Sequence, residues 1–394
     1  MKIRQIASYL IPKNIQNATE LGAVLGQKHS PIRLLGMDFC PKFTVKHPVL
    51  NEYLQGKSEL RIPRYTSFKI KAENEVSTYP KLVTEQGSSL KALATIFENV
   101  EMGGKNLTAI VVENLVVPWQ DAVSKIFSVH KLTNHGKAKI ALLKDGENHG
   151  KLNTFMTSKV TNYGTNNNFF AAKPVNKGHQ SNFLSFCPEN DGKGNQSNYF
   201  TLLPENNGEG LQINGISYRP KNKIGCQFNP ISCFPENKLD GNQVNLLSIN
   251  PQNQLDGGQF NLASIASQNF SDGTQKNGFS VVSKNFSSAY GQNNLLTVLA
   301  ENSDNGYQHN AFSIFSKNNE GTQGNVISLF VKNKSKKGFQ FNDVSLIALN
   351  KGAEQTNIAS AAAINNGTVQ TNCFALYSKN INGIQCNPFT TNYK

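Results

Sequence analysis

GNQVNLLSINPQN, residues 241–253, is one line of a phrase that the chain repeats. GHQSNFLSFCPEN from Gly178, GNQSNYFTLLPEN from Gly194, GLQINGISYRPKN from Gly210 and GCQFNPISCFPEN from Gly225 precede it, and GGQFNLASIASQN from Gly257 follows. The template is G-x-Q-x-N-x-φ-S-φ-φ-x-x-N, with φ apolar. Taking the glutamine as position 0, it falls at Gln180, Gln196, Gln212, Gln227, Gln243, Gln259, Gln275, Gln292, Gln308, Gln323, Gln340, Gln355, Gln370 and Gln385. Position +2 is always asparagine: Asn182, Asn198, Asn214, Asn229, Asn245, Asn261, Asn277, Asn294, Asn310, Asn325, Asn342, Asn357, Asn372 and Asn387. Position +5 is Ser or Thr in 13 of 14 copies, Ala375 being the exception, and position +10 is Asn from Asn190 to Asn380. Intervals of 15 to 17 residues held over this length are the mark of a repeat architecture. Weaker copies from Gly164, Gly150 and Gly136 keep the opening Gly and closing Asn, so the repeats are expected from about residue 132.

Alternate residues of a strand share a face. Positions 0, +2, +4 and +6 are therefore expected to point inward together. Gly, Pro, Asn and Asp-Gly between them are turn chemistry. Each copy reads as one coil: a strand, a corner near the Ser, a short second strand and a turn. The expected fold is mostly β, a β-solenoid of about 16-residue coils with a small mixed α/β N-terminal domain. The competing arrangement is an antiparallel meander. The matched amides favour parallel stacking, because identical carboxamides about 4.8 Å apart can bond in continuous columns. Apolar residues at +4, +6 and often +7 are expected to supply a thin core, among them Leu184, Phe186, Ile216, Ile265, Val281, Phe312, Ile314, Leu346 and Leu376 at +4 and +6. The closing Asn is expected at a corner, where it tolerates left-handed angles. Fourteen to sixteen coils would span roughly 65–80 Å, and stability would come from stacking neighbours.

The wider composition agrees. Of 394 residues 52 are Asn, only 9 of them in residues 1–150. Charged residues are 16% and hydrophobic ones 38%, with a net charge of +13. Residues 131–180 hold 8 basic and 2 acidic side chains, whereas 181–394 are close to neutral. Arginine occurs only at Arg4, Arg33, Arg61, Arg64 and Arg219, which disfavours base-specific nucleic-acid binding. No stretch of 18 apolar residues could make a transmembrane helix. The start, MKIRQIASYLIPKN, lacks a secretory apolar run, which leaves the cytoplasm or export without a signal peptide. Cys40, Cys187, Cys226, Cys233, Cys373 and Cys386 form no metal-ligand spacing and read as free thiols.

Residues 1–131 read as the mixed α/β or capping domain and 132–394 as the solenoid. SSLKALATIFENV, residues 88–100 with Ser89 as its cap, has helical spacing; LTAIVVENLVV reads as a strand; PWQDAVSKIFSV, with Trp119, reads as a helix or a first degenerate coil. PKFTVKHPVL and LRIPRYTSFKIKA read as short strands broken by proline. His29, His47, His130, His135 and Ser88 come without any catalytic motif, and neither Cys40 with His47 nor Asp38 with Glu52 is supported as a pair. No catalytic, cofactor or metal residue is expected.

Over about residues 136–394 the phrase resembles the tandem G-x-Q-type short repeats of bacterial surface-exposed proteins, with Asn for their second Gly and Ser for their Asn. That resemblance implies no catalytic residues. The Asn- and Lys-rich usage is similar to that of host-associated bacteria, secreted effectors included. The sequence thus favours a non-enzymatic binding or structural repeat protein with an elongated surface. Its partner would be a protein or a glycan, and it could self-associate through the C-terminal solenoid end. The alternative is an enzyme with a catalytic N-terminal domain and the solenoid as its targeting module. Outward sites +1 and +3 vary (Ser181 and Phe183, Phe228 and Pro230, Lys276 and Gly278, His309 and Ala311), and Thr is not in phase, against an ice-binding array.

Overall fold

The computed structural model describes residues 9, 11–34, 37–71, 77–79, 81–93, 95–102, 106–118, 122–254, 256–270, 273–286, 291–303 and 306–390. About 70% of the chain is strand, wound as a parallel β-solenoid of about 16 turns, with two helices among the described residues. Every pairing between repeat strands is parallel and in register, which excludes the meander. The chain forms two compact units, Met1–Pro188 and Glu189–Lys394. Neither helix is long and apolar enough to cross a membrane.

In the first unit parallel pairing begins at Lys13–Ile15 and passes through Lys42–Lys46, Ser67–Lys71 and Ser89–Leu93 to Asn106–Val117. The two helices sit in the long connections between the first coils. Helix α1, Ala18–Leu25, starts at Asn17, whose side chain accepts from Glu20 N at 2.8 Å, while Glu20 Oε2 accepts from Gln16 N at 3.0 Å. This reciprocal cap satisfies two otherwise unpaired amides. Helix α2, His47–Leu54, has Pro48 in its first turn, where proline costs no hydrogen bond. Of PKFTVKHPVL, read as short strands broken by proline, Lys42–Lys46 is a strand, and the part around and after Pro48 is helix where strand was expected.

The helix expected from Ser89 is also corrected. Ser89–Leu93 is a strand between Ser67–Lys71 and Asn106–Val117, with Leu90 and Ala92 inward. A short apolar run fits either period, and the ladder partners on both sides decide it. LTAIVVENLVV lies within the strand Asn106–Val117, and VSKIFSV opens the coil strand Val123–Asn134. Trp119 lies outside the described residues.

Along this unit the interior changes chemistry in fixed register. The column that ends in Gln180 runs Phe43, Phe68, Leu90, Leu107, Ser124, Ala138, Leu152, Asn166. The column that ends in Asn182 runs Ile126, Ile140, Thr154, Asn168. Apolar packing thus gives way to stacked amides within a few coils.

In the second unit the coils from Gln196 to Gln259 break their strand after +6, whereas those from Gln275 onward run as unbroken strands such as Tyr307–Asn318. At the break Leu203, Arg219, Phe234, Asn250 and Ala266, all at +7, have φ between 49 and 58°. Most precede an inward proline, which already disfavours the right-handed helical region at the preceding residue. The left-handed corner is therefore at +7 and not at the closing Asn.

Candidate functional site: outward columns on amide ladders

The interior of the second unit is built from carboxamides. From Gln212 to Gln385 each glutamine Nε2 donates to Oε1 of the glutamine one coil earlier, at 2.5–3.0 Å. The +2 asparagines donate the other way, from Asn198 to Asn387, at 2.5–2.9 Å. In the first unit Asn168 Nδ2 donates to Asn182 at 2.8 Å, and Gln180 Nε2 to Asn182 at 3.3 Å. All these glutamines and +2 asparagines are buried except Gln385 and Asn387, which are half-buried in the last coil.

The closing asparagine corrects the expectation that it marks a corner. It forms a third buried column, donating from Asn190 through Asn365 to the next coil at 2.8–3.3 Å. The same Nδ2 ties down the following turn, as from Asn237 to Gly241 O at 2.8 Å. In the first unit this column already runs from Asn134 through Asn148 and Asn162 to Asn176. Buried amides left unpaired would each cost about 1–3 kcal/mol; stacking meets the need coil by coil.

The thin apolar core is overturned. Position +5, not +4 or +6, points inward: Ser248, Ser264 and Ser313 are buried, while Leu247 is 54% exposed, Ile265 53%, Phe312 46% and Leu376 70%. Phe186, Ile216, Ile314 and Leu346 are likewise exposed, and Leu184 and Val281 are half-buried. Two adjacent outward residues at +3/+4 and again at +6/+7 bend the strand, so the inside phase slips by one at each corner. The space inside such a coil suits Ser, Asn, Gln and small residues, and the large side chains are left outside. The variable +1 and +3 positions face outward as well, as in His309 and Ala311.

The outward residues stack along columns. Phe155, Phe169 and Phe183 have ring centroids 5.3 and 4.9 Å apart, and Phe315 and Phe330 are 5.0 Å apart. Between Phe200 and Leu376 no charged residue occupies +4 or +6, so one face of the second unit is continuously apolar. A second face carries +7 and +9. There Lys317 Nζ lies 2.8 Å from Glu301 Oε1 and Lys284 Nζ 3.8 Å from Oε2. Burial pushes the Glu301 carboxyl up, but hydrogen bonds from Lys317 and Asn319 and the charges of Lys317 and Lys284 together hold it below its ordinary value.

Of the residues weighed for chemistry, His47 is buried at the start of α2 with Nδ1 3.2 Å from Asn51 Nδ2, and Cys40 is half-buried. His130 Nδ1 lies 3.0 Å from Glu113 Oε2 on the surface. Among the described residues no three His, Cys, Asp or Glu side chains are grouped to hold a metal. No protein-family model, curated protein or solved structure matches the chain.

Proposed function

We propose that the chain is a non-enzymatic binding or structural repeat protein and that the apolar +4/+6 face of its second unit is the contact surface. One observation carries this: thirteen consecutive +4 residues, Phe200 to Phe389, are apolar, and Ile216, Leu247, Phe312 and Val344 among them are exposed. At about 4.8 Å per coil and about 10 Å across three residues, the strip covers roughly 600 Å². That is the upper end for the largest apolar patch of an ordinary monomer, about 300–600 Å². It also approaches the roughly 800 Å² per partner of a standard protein interface. Its side chains are mainly aliphatic and offer few polar groups, so the reading favours a protein partner over a glycan. The resemblance to bacterial surface-exposed repeats and the Asn- and Lys-rich usage support a surface protein or secreted effector of a host-associated bacterium as the setting.

Site-specific photo-crosslinking in the producing cell tests the reading. A crosslinker at Leu247 or Phe312 should give the same discrete adduct, and one at Lys317 on the other face should not. Absence of an adduct at every +4 position, or equal adducts from both faces, would sink it.

A further inference from the structure

The +7/+9 face of the second unit carries a trough of about 590 Å³, separate from the +4/+6 strip. Its apolar wall is Val282, Leu299, Phe315, Phe330 and Ile347, one residue from each of five successive coils. Its floor includes Ala300, Ser316 and Val331, the small +8 residues, which is why the face is concave. Its other wall is the +9 column, with Lys284, Glu301, Lys317 and Lys332. Lys284 and Lys317 share the Glu301 carboxylate, and Lys332, one coil further on, lies beside Lys317 in the same column. Burial, then the charges of Lys334, Lys351 and Lys317, push the Lys332 pKa down.

We propose that this trough binds a long-chain fatty-acid anion, its tail along the Val282–Ile347 column and its carboxylate at Lys317 and Lys332. Volume, length and charge agree. Ligand pockets run to about 300–1,000 Å³. Five coils span about 19 Å, comparable to one acyl chain, or half of a hydrocarbon core about 30 Å thick. An extended acidic peptide is the rival occupant. The backbone groups of these strands are already committed to the parallel ladder. A peptide laid on this wall would leave its own N–H and C=O groups facing apolar side chains, at about 1–3 kcal/mol each. An acyl chain has no such groups.

Titration of the full chain with palmitate below its micelle concentration tests the assignment. Saturable binding is expected, uncompeted by a cationic amphiphile of equal length. Phe330→Asp should abolish it, and Lys332→Glu should weaken it by about tenfold or more, since like charges are set together. Lys332→Met, which keeps the stem and removes the charge, should weaken it with far-UV circular dichroism unchanged. Phe312→Asp, on the other face, should leave it intact. No saturable binding, equal competition by the cation, loss on Phe312→Asp alone, or binding of an acidic peptide in place of palmitate would each overturn the proposal.

Discussion

A carboxamide inside a coil is well placed only when both neighbouring coils answer it. Asn166 shows the exception: neither amide atom has a hydrogen-bond partner, although the residue is fully buried. It stands where its column passes from Leu152 to Gln180. Asn166→Leu is therefore expected to raise stability by about 1 kcal/mol, while Gln259→Leu, which strips partners from both Gln243 and Gln275, should cost about 2–4 kcal/mol. Urea midpoints at constant slope read both signs, and a loss of stability in Asn166→Leu would contradict the account. Glu301 adds a pH dependence. Its folded-state pKa lies below the unfolded value, so the ionised form stabilises the fold. That contribution is complete above the ordinary carboxylate value and is lost as pH falls through the depressed one. Thermal melts of wild type and Glu301→Gln should differ at neutral pH and converge on acidification through that window.

At the scale of the coil, the turns are stacked as tightly as the strands. A Cβ on Gly164 would sit 2.2 Å from Gly150 O and 2.5 Å from His149 O, both backbone atoms of the preceding coil. Gly164→Ala should cost about 1–3 kcal/mol as overpacking that no side-chain rotation can relieve; a melting temperature equal to wild type would refute this. The period, the parallel stacking and the amide columns were legible because Gln and Asn recur in strict register. The phase of the outer residues was misread because strict alternation was carried across two corners. The clue lay in variability: +5 is Ser or Thr almost throughout, whereas +4 ranges from Ala263 to Phe312. A constant small residue belongs inside and a variable large one outside. The helix start signals, the Asn17 cap and Pro48 in a first turn, were equally readable, but each helix is a single short insertion with no repeat to reinforce it.

For the molecule as a whole, in-register stacking makes one copy interchangeable with the next. Removing Gly241–Asp256 joins Asp240 to Gly257 and recreates the Leu-Asp-Gly turn of the deleted coil. This deletion should fold with its amide columns rejoined, its urea slope reduced in proportion to one coil and its midpoint little changed. Removing only Gly241–Ser248 leaves half a coil and should unfold at least the second unit. Equal behaviour of the two deletions, by circular dichroism and urea titration, would argue against nearest-neighbour stacking as the source of stability.

An interior of asparagine can age in a way that an aliphatic interior cannot. Asn214 and Asn277 each precede a glycine, the setting in which a backbone nitrogen most readily attacks the side-chain carbonyl and the amide is hydrolysed. Here both carboxamides are held by neighbours above and below, in extended backbone that keeps the attacking nitrogen away. Deamidation at these two sites would then proceed only while a coil is open. The carboxylate it leaves behind, unable to donate, would keep that coil from closing again.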